Sequence, residues 1–426
     1  MRKTNRFLSW LLAAVAASGM VACSDEEDVK PVSEISLNES YTITRSTVLS
    51  IKPEITGFDN ASFEWRLIET PDGEKDSVIH DEAELDFIVL PTGEYGLKLL
   101  VSDKTGKDTL YTRVTVEQEE EPFSPYLSQV HDYLPGIGQF VNKLPKYDEG
   151  DTKENMIAKV NEALVGGQAS MITLGGFGGY VVFGFDHTVA NIPGKHDFRV
   201  RGNAFGAASN PRPDAPFGGS CEPGVIMVAY DRNKNNEPDA DEWYEIAGSA
   251  HNPETSEPWY PMAEEAGNNM ELEREYKITY FRPEEEAEGA IAEYIRWEDN
   301  RGNSGYKVKN AFHRQPYFPA WIDGDSYTLE GTLLPQNGVD ESGQGSYFVL
   351  YAFDFGYADN YPNGHEKSGI DIDWAIDQDG NKVHLPGIDF VRVHCGVNQE
   401  NGWLGECSTE VAGAEDLHLL EADKDE

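Results

Sequence analysis

The segment 231–242, DRNKNNEPDADE, spaces oxygen-bearing side chains at intervals that suit a hard divalent cation. An EF-hand-type loop needs oxygens at positions 1, 3 and 5, a backbone carbonyl at 7, a ligand at 9 and a bidentate Glu at 12. Asp231, Asn233, Asn235, Glu237, Asp239 and Glu242 occupy those six positions. Position 6, where the turn calls for a positive φ, is Asn236, the best substitute for Gly in the left-handed region. The implied chemistry is Ca²⁺ coordination. It is structural rather than catalytic, because the loop's own oxygens would complete the coordination sphere. The bland alternative is a solvated acidic hairpin tip.

Other residues with chemistry to offer are less specific. Aromatic rings crowd 311–327, and flat rings stack on sugars or macrocycles; Tyr317 and Trp321 are the candidates there, against the alternative of core filling. Trp403 lies in the polar, Gly-rich loop NQENGWLGE and is a candidate exposed contact. A second acidic stretch holds Asp354, Asp359, Asn360, Asp371, Asp373, Asp377 and Asp379. Paired carboxylates can hydrolyse glycosides, Asp359 and Asn360 could hold a second cation, and 377–381 reads as a hairpin turn. The Gly-rich LGGFGGY, 174–180, lacks the following Lys-Ser/Thr and helix of a phosphate loop, so its glycines point to a tight turn or close strand approach. No Gly-x-Ser-x-Gly or His-Glu-x-x-His is present. Cys395 and Cys407 flank a short loop and could form a disulfide, leaving Cys221 as a free thiol.

The elements that must position these residues are strands. From 35 to 118 the chain alternates polar and apolar residues between turn signals, as in ASFEWRLIE and GEYGLKLLVSD. After the charged, Pro-containing boundary at 117–125, segments such as YVVFGF, VIMVAYD, YKITYF and IDFVRVHCGV continue the pattern, as does EDLHLLEA near the end. Only DTKENMIAKVNEALVGG reads as a helix, with Asp151 as cap, Glu154 as its return partner, and Met156, Val160 and Ala163 on one face. The expected fold is all-β: an N-terminal sandwich over 35–118, then a larger jelly-roll-like sandwich over 119–426 with one short helix. The cation loop would join two strands, VIMVAYD and EWYEIAG.

The first 22 residues carry three cations, an apolar run and small residues, the layout of a signal peptide. Their removal takes the formal charge from −42 to −45. Such a chain repels nucleic acid.

Several strings carry resemblances. Ala22-Cys23 after small residues resembles a bacterial lipobox, with Cys23 the lipidated first residue of an acidic tether spanning 23–34. The run Ser24-Asp25-Glu26-Glu27-Asp28 resembles the surface-export signal of Bacteroidetes lipoproteins. Trp65 and Tyr95 resemble the core Trp and tyrosine corner of Ig-like sandwiches, and GEYGLKLLVSD resembles a PKD-type strand. PGIGQFVN, LGGFGGYVVFGFDHTV, EPGVIMVAYDRNKN and GWLGECSTEV resemble Bacteroidetes PKD-like cell-surface lipoproteins. That resemblance implies an outer-membrane, lipid-anchored protein facing outward, often encoded near nutrient uptake systems, with a TonB-dependent transporter as partner. The expected role is non-enzymatic capture of a small-molecule nutrient, a corrinoid such as vitamin B12 or a glycan. The alternatives are a structural or adhesive surface protein and a glycoside hydrolase or lyase.

Overall fold

The computed structural model describes residues 34–425 except 59, 105, 208–213, 285, 287 and 288, and omits the side chains of 422–425. The signal segment, Cys23 and nearly all of the acidic tether lie outside the described residues. No described helix is long and apolar enough to cross a membrane.

The chain is all-β. The N-terminal part centres on a five-stranded sheet of β1 (Ser40–Thr44), β2 (Ser62–Thr70), β3 (Gly73–His80), β4 (Gly93–Ser102) and β5 (Lys107–Glu117), in the order β1-β5-β4-β2-β3. Strand alternation places Tyr95, Leu97, Leu99 and Val101 of β4 in one core with Trp65. The Tyr95 hydroxyl donates to the Pro91 carbonyl at 2.7 Å, the tyrosine-corner contact.

The larger part is built on a six-stranded antiparallel sheet. Its members are β6 (Gln129–Leu134), β7 (Tyr180–Ala190), β8 (Gly224–Ala229), β9 (Trp243–Ile246), β14 (Ala375–Ile376) and β15 (Gly387–Cys395), in the order β6-β7-β15-β8-β9-β14. A four-stranded sheet follows β9 in the chain: β10 (Glu273–Phe281), β11 (Ile291–Asp299), β12 (Ser304–Lys309) and β13 (Ser326–Leu333), ordered β12-β11-β10-β13. Short strands at 205–206, 218–220, 338–340 and 348–351 make a third sheet. Val181, Phe183, Ile226, Val228, Val391 and Val393 from one face of the six-stranded sheet share a core with Met156, Val160 and Leu164 of helix α1 (Lys153–Leu164).

Local chemistry explains three departures from the sequence reading. Thr152, not Asp151, caps α1: its hydroxyl accepts the Asn155 amide, while Asn155 Oδ1 accepts the Thr152 amide at 3.0 Å. Asp151 is instead held by Lys159 at 2.6 Å. Two further helices form, α2 (Tyr260–Glu265) and α3 (Leu417–Asp425). EDLHLLEA therefore starts as a short strand and turns helical at Leu417, where Asp416 Oδ1 accepts the amides of His418 and Leu419. The glycines of LGGFGGY do allow close approach: a Cβ on Gly179 would lie 1.9 Å from the Leu174 carbonyl oxygen.

Candidate functional site

The 231–242 loop joins β8 to β9, which pair antiparallel through Ala229–Trp243, so both flanks are strands. Asn236 has φ 59°, the left-handed conformation its position calls for. Asp231, at position 1, is buried and anchors the loop from inside. Its Oδ1 accepts the Asn235 amide at 3.1 Å and its Oδ2 the Asn236 amide at 2.8 Å. Asn233 Oδ1 accepts the Asn235 amide, and Asn235 Oδ1 accepts the Glu237 amide. The side-chain amides of Asn233 and Asn235 both donate to Asp239 Oδ2, at 2.6 and 2.9 Å. Glu242 is 3% exposed; its Oε1 accepts the Arg232 amide, and its Oε2 has no hydrogen-bond partner. Burial, joined by repulsion from Asp231 and Asp239, raises the Glu242 pKa. A buried carboxylate oxygen without a donor is costly. At position 12, a divalent cation would supply what it lacks.

The aromatic candidates separate. Tyr317 is 1% exposed and packs edge-on to Tyr294, so it fills a core rather than greeting a ligand. Trp321 is half-buried, stacked near Tyr133 and Tyr147 against the main core. Burial removes Tyr317 as a ligand platform, while Trp321 keeps part of its surface in solvent. Trp403 is 51% exposed, as its polar loop suggests, and Phe312 is 74% exposed.

Trp403 and Phe312 line one cavity of about 470 Å³, with His313, Phe140 and the carboxylates of Glu222, Glu406 and Glu410. The residues just named come from segments that follow β6, precede β8, precede β13 and follow β15. The acids escaped the sequence reading: Glu406 and Glu410 sit in ECSTEV and Glu222 follows Cys221, with no spacing that ties them together. Glu222, Asp359 and Glu410 bring carboxylate oxygens within 4.8 Å of one another. That spacing could hold a metal, but all six oxygens already accept hydrogen bonds. Glu222 accepts the Ser408 amide and the Ser220 hydroxyl. Asp359 accepts the amides of Asn203, Ala204 and Glu410. Glu410 accepts the hydroxyls of Thr173 and Ser408 and the side-chain amide of Asn203. The cluster is a set of bolts between loops. Burial, with mutual repulsion, pushes Glu222 up to about 8, and burial pushes Asp359 up to about 7. Burial beside Glu400 pushes Glu406 up to about 8.

Cys395 and Cys407 are both buried free thiols, as is Cys221. The expected disulfide is not formed. Cys395 Sγ instead donates to the carbonyls of Cys407 at 3.4 Å and Val397 at 3.7 Å. The 377–381 stretch is the turn its sequence suggests: Asp377 Oδ1 accepts the amides of Asp379 and Asn381.

No protein-family model and no curated protein sequence matches the chain. Among solved structures it is similar to a SusE-like protein, BT2857, at 10% identity over 90% of this chain and 96% of that chain, with a TM-score of 0.24. It is also similar to the PKD domain of human KIAA0319, at 21% identity over 24% of this chain and 97% of that chain, TM-score 0.19. A third is BT4661, a SusE-like surface-located polysaccharide-binding protein from the Bacteroides thetaiotaomicron heparin utilisation locus, at 11% identity over 40% of this chain and 27% of that chain, TM-score 0.15. Scores this low carry no argument about this chain, and its own geometry has to.

Proposed function

We propose that the chain is a non-enzymatic surface protein that captures a saccharide in the cavity rimmed by Trp403 and Phe312. One observation carries this reading: two large rings stay exposed to solvent beside a recess whose floor is carboxylate. Rings cover the apolar face of a sugar, and acceptor oxygens take its hydroxyl protons. A cavity of about 470 Å³ falls within the roughly 300–1,000 Å³ of small-molecule sites. It suits one or two sugar rings better than a corrinoid, whose macrocycle and side chains are far bulkier. The 231–242 loop, loaded with Ca²⁺, is a structural staple of the β8–β9 turn. Lipidation at Cys23 would hold the protein at the outer membrane, where a TonB-dependent transporter is the fitting recipient of the captured nutrient.

Glycoside hydrolysis is the second reading, favoured by the raised pKa values of Glu222 and Glu406 at the cavity floor. It asks for two carboxylates about 5–5.5 Å or 6.5–9.5 Å apart and free to act. Glu222 and Glu410 approach more closely than that, with every oxygen engaged by the chain, and Glu406 Oε1 is held by the Gln139 amide at 2.6 Å. Isothermal titration with a panel of neutral mono- and disaccharides and with cobalamin tests the proposal, with reducing-sugar release measured on the same panel. Saturable sugar binding without turnover supports capture. Silence across the sugars, or turnover of any of them, rejects it.

A further inference from the structure

The face of the six-stranded sheet turned away from the main core holds a cation that forms no ion pair among the described residues. Along β15, Val391 and Val393 enter the core, so Arg392 projects from the opposite face. Its strand partners are Val182 on β7 and Met227 on β8. The half-buried guanidinium lies over the Tyr180 ring, 4.5 Å from the centroid. Its hydrogen bonds are long ones, 3.5 Å to Met227 Sδ and 3.5 Å to the Glu330 carbonyl. Among the described residues, no carboxylate oxygen forms an ion pair with it. The chain has 76 acids for 34 Lys and Arg, so an acid would have been easy to supply.

Arg392 opens into a cavity of about 1010 Å³, also lined by Trp243, Arg274 and Lys277. The acids on that wall are committed elsewhere. Asp132 takes Lys153 at 2.7 Å and the Tyr180 hydroxyl at 2.8 Å. Glu330 takes Lys277 at 2.5 Å. Glu245 takes His251 and the Thr332 hydroxyl. Asp377 and Asp239 accept from asparagine side chains, and Glu237 faces His131 at 3.8 Å. Arg274 donates to the backbone carbonyls of Asp377 and Gln378, so it too lacks a carboxylate. Arg392, with five donors in a planar fork and few good acceptors, matches the geometry of a carboxylate. Burial disfavours its charged form, an effect that Tyr180, Glu330, Asp132 and Glu245 offset only in part, and an arriving carboxylate in direct contact would relieve the remainder.

We propose that this cavity is a second binding site, separate from the Trp403 recess, for a carboxylate-bearing sugar such as a uronic acid. Arg392 grips the carboxylate, and the Tyr180 and Trp243 rings border the sugar. Because the two sites share no residue, this inference stands or falls independently of the neutral-sugar proposal.

The experiment is isothermal titration of the mature chain with glucuronate, glucose and inorganic sulfate at low ionic strength. Glucuronate binds and glucose does not compete for its site. Arg392→Met keeps the length of the side chain and loses the charge; it weakens glucuronate binding about tenfold or more. Arg392→Lys keeps the charge without the fork and falls between. Should Arg392→Met fail to fold, judged by its melting curve, Arg392→Lys decides. Absence of glucuronate binding, sulfate binding as tight as glucuronate, or wild-type affinity in both Arg392 variants overturns the proposal.

Discussion

Glu242 closes the β8–β9 loop onto its own start: its Oε1 accepts the Arg232 amide at 2.9 Å while its Oε2, equally buried, is left without a donor. A Ca²⁺ ion held in this loop would give that oxygen a partner. Added Ca²⁺ should raise the melting temperature and a chelator lower it. The gain is about 2.7 kcal/mol when free Ca²⁺ stands at about 100 times Kd. Glu242→Gln removes the charge at constant shape and should abolish most of the Ca²⁺-dependent shift. It should also raise the metal-free melting temperature, because the uncompensated charge is gone. A chelator-insensitive wild type would return this loop to an ordinary acidic turn.

The recess makes a different demand. If sugar stacks on Trp403, Trp403→Ala should weaken saccharide binding roughly tenfold. Phe312→Ala should do the same or slightly less, and neither should alter stability much, since both rings stand in solvent. Tyr317→Phe, by contrast, removes a hydroxyl from a packed core residue 1% exposed and should leave affinity alone. Equal losses from all three substitutions would mean the recess is not the site.

What was legible in the sequence follows from the range of the interactions involved. Strand alternation is local and surfaces in the structure; the helix start is local too, but its cap is Thr152 with Asn155, not Asp151 with Glu154. Trp403 was legible because a Trp in a Gly-rich polar loop has little to pack on. Tyr317 was misleading because ring type says nothing about which way a loop turns. Glu222, Asp359 and Glu410 are 137 and 51 residues apart along the chain and meet only after the β-strands have paired, so no window could connect them. The Cys395–Cys407 disulfide is likewise absent: both residues are buried free thiols.

The acid cluster has a pH signature. Glu222 rises from an ordinary 4.5 to about 8 and Asp359 from 3.8 to about 7. In that interval the native chain holds protons that the unfolded chain has released. Stability is therefore full below the unfolded pKa values and is lost as pH rises through the folded ones. His394, pushed down to about 4 by burial, acts oppositely, but only between about 4 and its ordinary 6.5. In the window from about 6.5 to 8, Cys395, held down to about 7, opposes the acids, so the comparison of wild type with Glu222→Gln isolates the Glu222 contribution. Melting temperature should fall across this window in the wild type and fall less in Glu222→Gln, whose remaining oxygen can still accept the Ser408 amide. Parallel wild-type and variant profiles would show that Glu222 is ionised throughout.

The start of α1 offers a sharp comparison between two adjacent residues. Thr152 satisfies the Asn155 amide and receives the return bond from Asn155, whereas Asp151 serves Lys159 and the Asp148 amide. Loss of an N-cap costs about 1 kcal/mol, and α1 covers the main core with Met156, Val160 and Leu164. Thr152→Ala should lower stability by about that amount, and Thr152→Ser should restore most of it. Asp151→Ala removes a solvent-screened pair and one acceptor of an exposed loop amide, and should change stability less than Thr152→Ala does. Urea unfolding of the three variants gives the ranking directly. A larger loss from Asp151→Ala would move the cap back by one residue and redraw the first turn of the helix.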